Sequence, residues 1–334
     1  MNNRICSTAF CVLRSNPNKI DPSFLFYAVS YGDFVDRVSE HQRGVAYPAI
    51  TDKEILEESI PLPPLPEQHA IATTLRTVQE AKEKTDAVIA ATKALKASMM
   101  KHLFMYGPVP PKDVERVALR ETEIGPVPDA WEIRQLSSLF DIKHGYSFKS
   151  EFFGSTGKFI LLTPGHFHEE GGFKDLKEKT KFYTIEPPHD LILTKGDLLV
   201  AMTEQSPGLL GSPIFIPESD KYLHNQRLGL IQNLDTTNLI PEYLFHFFNL
   251  EKVRTIISIT STGTKVKHTS PNKIRAIPIS LPTIDEQKKT VTILSSIDQK
   301  LAAEQSRKEA LDTLFTSLLH DLMTAKIRIN PIAV

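Results

Sequence analysis

Ile60-Pro61-Leu62-Pro63-Pro64-Leu65-Pro66-Glu67-Gln68 returns 219 residues later as Ile279-Ser280-Leu281-Pro282-Thr283-Ile284-Asp285-Glu286-Gln287. Upstream, the same offset matches Pro22, Phe24, Leu25 and Phe26 with Pro241, Tyr243, Leu244 and Phe245, and Gly44 with Gly263. Downstream it matches Leu75, Val78, Leu95, Met99 and Leu103 with Leu294, Ile297, Leu314, Leu318 and Leu322. The match is ungapped from residue 20 to residue 104. A period this long is no solenoid unit; it describes a duplicated domain with its connector.

Each connector reads as a long helix. Pro66-Glu67-Gln68 is a helix start, with proline suited to the first turn and an early acid suited to the helix dipole. Apolar residues recur at Ile71, Leu75, Val78, Val88, Leu95, Met99 and Leu103, with Lys82 and Thr85 interrupting the stripe, before Gly107-Pro108 ends it. Residues 67–104 would span about 57 Å as a helix. Thr283 to Glu286 has the capping-box spacing. Leu294, Ile297, Leu301, Leu311, Phe315, Leu318 and Leu322 follow at four-three spacing, weakened at Glu304 and Lys308. Two such stripes predict an antiparallel pair with a globular domain carried at each end.

The first copy reads as a strand from Ala9 to Leu13, a turn at Asn16-Pro17-Asn18, an apolar helix from Pro22 to Val38, a Gly44/Pro48 loop and a short helix from Asp52 to Glu57. The second copy begins far earlier relative to its helix, near Trp131, so about 90 residues of it have no counterpart ahead of Met1. Its strand-like runs are Phe159–Leu162, Leu198–Met202 and Pro213–Ile216, with a turn at Lys195-Gly196-Asp197 and its best helix at Pro241–Ile257. The segments expected are 1–63, 64–106, 107–130, 131–282, 283–325 and a tail, 326–334. The fold class is α+β.

Hydrophobic residues make up 41% and charged residues 24%, an ordinary globular composition. Lysine plus arginine (39) balances aspartate plus glutamate (40), so a nucleic-acid surface would have to come from local segregation of charge. Cys6 and Cys11 read as small buried residues in a reducing compartment. Met1 to Arg4 lacks an apolar signal core and no stretch of 18 apolar residues occurs; a cytoplasmic protein without a membrane span is expected.

Catalytic motifs are weak. Gly154 to Phe159 lacks the glycine spacing and the hydroxyl residue of a phosphate-binding loop, and reads as a turn. His166 and His168 alternate as metal ligands on a strand would, but no distant ligand pair supports them, and a solvated polar loop is the reading adopted. His320-Asp321 reads as an exposed helix face. Charge segregation is clearer. From Lys252 to Ile284 there is no acid, against Lys252, Arg254, Lys265, Lys267, Lys273 and Arg275. Within it, Thr262, Gly263, Thr264, Lys265, Lys267 and His268 supply groups suited to phosphates and base edges; a merely basic surface loop is the alternative. Two further candidates are the loop Lys143, His144, Tyr146, Ser147 and Lys149, and the amide-guanidinium run Asn225, Gln226 and Arg227. The bland alternatives are a hairpin turn with a core aromatic and capping of a strand. The first copy is acidic where the second is basic, with Asp33, Asp36, Glu40, Asp52, Glu54, Glu57 and Glu58.

Four signatures in this order resemble the specificity subunit of type I restriction-modification enzymes: Gly125-Pro126-Val127-Pro128-Asp129-Ala130-Trp131, Lys195-Gly196-Asp197-Leu198-Leu199, Gly263 to Ser270, and Leu281-Pro282 with Glu286-Gln287, the last repeated at Leu62-Pro63 and Glu67-Gln68. The resemblance implies two target-recognition domains separated by two long antiparallel coiled-coil helices. It implies double-stranded DNA as ligand, a bipartite site read half by each domain, and helices acting as a ruler and docking two methylation subunits. Those subunits would carry S-adenosylmethionine, and restriction subunits would use ATP and magnesium; this chain would hold no cofactor and do no chemistry. For residues 1–63 three outcomes stand: an uncovered core, completion by another chain, or misfolding. The alternative function is a coiled-coil scaffold that docks partners without reading sequence; a third reading, a metal enzyme at His166 and His168, rests on that pair alone.

Overall fold

The computed structural model describes residues 7, 10–44, 48–122, 124–205 and 207–329. It is α+β and divides into two compact units, Met1–Lys93 with Gln299–Val334, and Ala94–Asp298. Among the described residues the α-helices are α1 (Pro22–Ser30), α2 (Gly32–Glu40), α3 (Asp52–Glu57), α4 (Leu65–Tyr106), α5 (Pro241–Phe248), α6 (Glu251–Thr260), α7 (Pro271–Arg275) and α8 (Ile284–Met323). The short strands of the described residues are β1 (Leu119–Arg120), β2 (Val127–Pro128), β3 (Glu132–Gln135), β4 (Asp141–His144), β5 (Phe153–Gly154), β6 (Phe159–Leu161), β7 (Phe182–Tyr183), β8 (Leu198–Ala201), β9 (Thr203–Glu204), β10 (Pro213–Phe215), β11 (Tyr222–Leu223), β12 (Leu228–Gln232), β13 (Lys267–His268) and β14 (Pro278–Leu281).

The repeated Glu-Gln motif has a physical task. Gln287 is fully buried at the start of α8. Its Nε2 donates to the carbonyls of Asn238 (2.7 Å) and Pro282 (3.0 Å), and its Oε1 accepts from the Ile240 N–H (3.0 Å). Gln68 repeats this set 219 residues earlier, with Lys19 (3.1 Å), Pro63 (2.8 Å) and the Asp21 N–H (2.8 Å). In each copy one amide thus satisfies three backbone groups where a shorter helix begins and the chain enters the long helix. The neighbouring glutamates diverge. Glu286 closes a capping box with Thr283, accepting its N–H (2.9 Å) and its hydroxyl (2.8 Å). Pro64 stands where Thr283 does and offers neither, so Glu67 forms a bidentate pair with Arg328 (2.6 and 2.7 Å), which lowers its pKa.

The long helices pair antiparallel within each unit. In the first, Lys82 meets Asp312 at 2.7 Å and the Phe315 ring at 4.8 Å, and Lys308 meets Asp86 at 2.5 Å. In the second, Lys96 meets Asp298 at 2.6 Å. The two residue numbers in each pair add to 394, the signature of one antiparallel register. Leu75, Leu103 and Leu294 are fully buried, each worth about 1.5–3 kcal/mol. The seam differs from the expected stripe. Val88 and Leu95 are exposed, whereas Thr85 and Thr92 are buried, each returning its hydroxyl to the carbonyl four residues back. A strict heptad through Ile71, Val78, Thr85, Thr92 and Met99 carries the contact, and Val88 and Leu95 fall outside it.

In the first unit, α1 is capped by Asp21, whose carboxylate accepts from Ser23 and Phe24 N–H (both 2.9 Å). The single helix expected over 22–38 is two, because Tyr31 takes an extended conformation between them. The hydroxyl of Tyr31 bonds His320 Nδ1 at 2.8 Å, so His320 is half-buried and engaged rather than on an open helix face. Phe24, Tyr27 and Ala28 pack on Ile71, Ala72, Leu75, Leu322 and Met323. The expected opening strand is absent over its described part: Phe10 to Leu13 is irregular, with Phe10 and Val12 exposed. Its counterpart, Gly229 to Gln232, is held in a sheet by strands on both sides. Cys11 is half-buried and free; Cys6 and Ala9 lie outside the described residues.

The second unit is built on two four-stranded sheets, ordered β10-β8-β12-β4 and β11-β6-β7-β5. Its central strand β8 is buried on both faces: Leu198 and Val200 join one core with α5, α6 and α7, while Leu199 and Ala201 join another with Ile160, Ile214 and Leu228. β14 closes the domain against β3, with Leu281 opposite Glu132 and Ile279 opposite Arg134. The helix expected over 241–257 is also two, broken at Asn249-Leu250. Trp131 is buried, its ring 3.1 Å from where a Cβ on Gly107 would sit, and Gly107 takes φ +82°. No helix among the described residues is long and apolar enough to cross a membrane.

Candidate nucleic-acid interface

Three strands of the second unit end on one rim: β4 at His144, β8 at Ala201, and β12 where it begins at Leu228. The loops leaving this rim are stitched by backbone bonds. The Tyr146 N–H donates to the His224 carbonyl (2.9 Å) and the Gln226 N–H to the Tyr146 carbonyl (3.0 Å). Gly145 permits this, since a Cβ there would stand 2.2 Å from the Asn225 carbonyl oxygen. The Met202 N–H donates to the Arg227 carbonyl, and the Thr269 N–H to the Met202 carbonyl, both at 2.9 Å. The basic hairpin is closed by Thr262 and His268, which exchange bonds of 2.9 and 2.8 Å. Gly263 makes the tight turn, with φ +101° and a Cβ position 2.1 Å from the Val266 carbonyl oxygen. The three segments singled out in the sequence therefore converge through the fold, although 82 residues separate Lys143 from Asn225 and 37 separate Asn225 from Thr262.

Their side chains divide into exposed and engaged. His144, Ser147, Gln226, Arg227, Thr262, Thr264, Lys265 and His268 are exposed. Tyr146 is exposed and rests its ring edge on Phe148 (5.2 Å), itself buried against Tyr183 (4.9 Å). Lys149 is exposed, 3.7 Å from Glu151. Lys143 is turned aside onto the Asp190 carbonyl (2.9 Å) and carboxylate (3.1 Å). Lys267 donates to the Ser258 hydroxyl at 3.1 Å. Asn225 accepts the Arg227 N–H at 3.0 Å and so shapes its own loop.

Counting charge along the acid-free stretch overstated its free cations. Arg275 donates to the carbonyls of Phe140 (3.0 Å) and Ser137 (3.1 Å) and meets Asp141 at 2.8 Å. Arg254 donates to the carbonyls of Glu169 (2.8 Å) and Gly208. Burial holds the Arg254 guanidinium down at about 10, against the pull of Glu204 and Glu169. His166, expected in a solvated loop, is buried; its Nδ1 accepts the Thr163 N–H (3.1 Å), and burial lowers its pKa. His168 is exposed, and among the described residues no three His, Cys, Asp or Glu side chains are grouped for a metal. Below the rim, His224 is fully buried, donates from Nε2 to the Leu228 carbonyl (3.0 Å) and is held at about 4 by burial.

One rim segment escaped the sequence reading, the stretch from Thr203 to Leu210. β9 pairs with β13, Lys267 opposite Glu204 and His268 opposite Thr203, so this stretch lies directly beside the basic hairpin. Its signal was a Thr-Glu-Gln-Ser-Pro-Gly turn composition immediately after the most apolar strand, which marks a loop but not its neighbours.

A family model described as the type I restriction modification DNA specificity domain matches residues 1–90 and 128–313. The type I restriction enzyme MjaVIII specificity subunit of Methanocaldococcus jannaschii is 27% identical over 331 residues, 98% of this chain and 75% of the relative. The putative MjaX specificity subunit of the same organism is 24% identical over 324 residues, 96% of this chain and 71% of the relative. Among solved structures, the type I restriction-modification system S subunit from M. genitalium superposes with a TM-score of 0.60 at 17% identity, covering 92% of this chain and 74% of that one. A chain from a structure on complex assembly and conformational transition of the type I R-M system gives 0.56 at 22%, covering 96% and 75%. The family model spans well over half of the residues, including the first part of α4, most of α8 and the rim loops: the chain belongs to the type I restriction modification DNA specificity family.

Proposed function

We propose that this chain is the DNA-recognition subunit of a type I restriction-modification complex, and that its second unit reads one part of a bipartite double-stranded site through the rim loops. The observation that carries this is the convergence of hydroxyl, amide, imidazole and cationic groups from four separated segments on one exposed rim. Arg227 and Lys265 offer charge to phosphates or guanine edges, and Gln226 an amide to adenine. The long helices would dock two methylation subunits carrying S-adenosylmethionine, and through them restriction subunits using ATP and magnesium in the cytoplasm. This chain itself would be non-catalytic.

The first unit leaves open a face that the second unit covers. Phe26 and Leu62 are 62% and 59% exposed. Their counterparts are covered: Phe245 stacks on Phe215 (5.4 Å), and Leu281 lies in β14 against β3, 7% exposed. A segment folded like residues 131–219 is the chemistry that would cover this face and pair with the edge at Ile60–Leu62. The uncovered face also favours the second reading, a scaffold that docks partners and reads no sequence.

The deciding experiment maps methylated adenine in DNA from cells expressing this chain with its cognate methylation subunit. A defined motif, one half of which changes when rim residues of the second unit are replaced, is the expected result. Absence of methylation, although the two proteins co-purify, would select the scaffold.

A further inference from the structure

The segment after β9 is braced from several directions. Glu204 is buried, and its Oε2 accepts three backbone N–H groups, from Gly208 (3.0 Å), Leu209 (3.0 Å) and Leu210 (2.9 Å). Arg254 clamps the same loop from α6, donating to the Gly208 carbonyl while tying in the Glu169 carbonyl. Gly211 follows with φ +81°, where a Cβ would stand 2.6 Å from Ile257 Cδ1. The stem is paired to the basic hairpin through Lys267 and His268.

Burying a carboxylate and most of a guanidinium is costly; Arg254 Nη1 is buried without a partner, and the bonds that the two groups do make hold a surface turn. The braced turn also seats Leu210 in one core and Leu209 against the other, so it is held from below as well as by Glu204. Bracing and packing together fix where the exposed Gln205 leaves the rim, directly after the pairing of Glu204 with Lys267. Rigid placement of a contact group is what selective recognition requires. A glutamine amide donates and accepts side by side, which matches the N6 and N7 edge of adenine in the major groove.

We propose that the β9–β10 segment is a fourth reading loop of the second unit, in which Gln205 contacts a base edge of double-stranded DNA and Glu204 and Arg254 are positioning residues. The proposal rests on the second unit being a DNA reader. It is tested in the assembled complex with the methylation subunits, by profiling methylation across a library of site variants. Gln205→Ala is expected to relax selectivity about tenfold at one base pair of the second unit's half-site, with the urea midpoint of Trp131 fluorescence unchanged. Glu204→Ala is expected to relax the same base pair, Glu204→Gln to restore part of that selectivity, and the double variant Glu204→Ala/Gln205→Ala to add little.

Unchanged selectivity at every position in Gln205→Ala, while Arg227→Ala or Lys265→Ala alters methylation, overturns this proposal and leaves the reading of the second unit standing. Indifference of methylation to Gln205→Ala, Arg227→Ala and Lys265→Ala alike overturns both.

Discussion

Replacing Gln287 by alanine removes three hydrogen bonds at once from a site without solvent access. The Ile240 N–H loses its acceptor, and the Asn238 and Pro282 carbonyls lose a donor. Orphaned buried polar groups cost about 1–3 kcal/mol each, and partial relaxation recovers some of this, so the expected loss is about 3–5 kcal/mol. Trp131 is the only tryptophan of the chain and is buried in the same unit, so its fluorescence reports unfolding of that unit alone. The assay is a urea titration of the full chain followed at Trp131, which avoids treating two units as one transition. Gln287→Glu keeps the shape but turns the donor toward Asn238 and Pro282 into an acceptor, and should be no better than alanine. A loss below about 1 kcal/mol for Gln287→Ala would refute the view that this amide fastens the long helix to the domain.

Leu62→Asp and Leu281→Asp occupy equivalent positions of the repeat, yet only Leu281 is buried; circular dichroism melts should show a change within about 0.5 kcal/mol for the first and a loss above about 3 kcal/mol for the second, and equal losses would contradict the uncovered face. His224 and His246 are both held at about 4 by burial. Only the unfolded chain takes up their protons as pH falls below about 6.5, so stability is full at pH 7 and drops towards pH 4, by about 2 kcal/mol from each by pH 5; a Trp131 urea midpoint equal at pH 7 and pH 5 would refute this. In anisotropy titrations of duplex DNA across salt concentrations, Lys265→Ala should weaken binding to all sequences and reduce the salt slope by about 1. Lys267→Ala should do less, because its ammonium is engaged by Ser258, and a larger effect from Lys267 would show that the hairpin rearranges on DNA.

The repeat made the architecture legible because an offset of 219 holds for the backbone-binding glutamines and for the helix seam alike. Helix breaks at Tyr31 and Asn249-Leu250 were hidden, since apolar spacing runs across both and only the local backbone turns. The seam register was misread at Val88 and Leu95 because hydrophobicity was followed where buried threonines carried the heptad. At the rim, residue type marked three segments that the fold brings together, but which cations are engaged depends on partners far along the chain, such as Asp190 for Lys143 and Phe140 for Arg275. Glu204 was unreadable for the same reason: its three donors are backbone groups, which leave no trace in side-chain identity.

The polar residues that weaken the seam also decide which helix pairs with which. Exposed ion pairs of this kind contribute only about 0.2–1 kcal/mol each, too little to explain two lysines at core heptad positions by stability alone. Their arrangement is informative because the two copies differ just there. Lys82 and Lys96 stand where α8 has Leu301 and Phe315, and Ile89 stands where α8 has Lys308. The aspartates that receive the lysines, Asp312 and Asp298, correspond in α4 to Lys93 and Gln79. A pairing of α4 with a second α4 in the same register would therefore set Lys82 against Lys93 and leave Lys96 beside a neutral amide. A pairing of α8 with a second α8 would set Lys308 against Gln305, the counterpart of Asp86. Only α4 with α8 satisfies all three cations, so a duplicated sequence with nearly interchangeable apolar positions still specifies one partner, through like charge and lost charge in the alternatives.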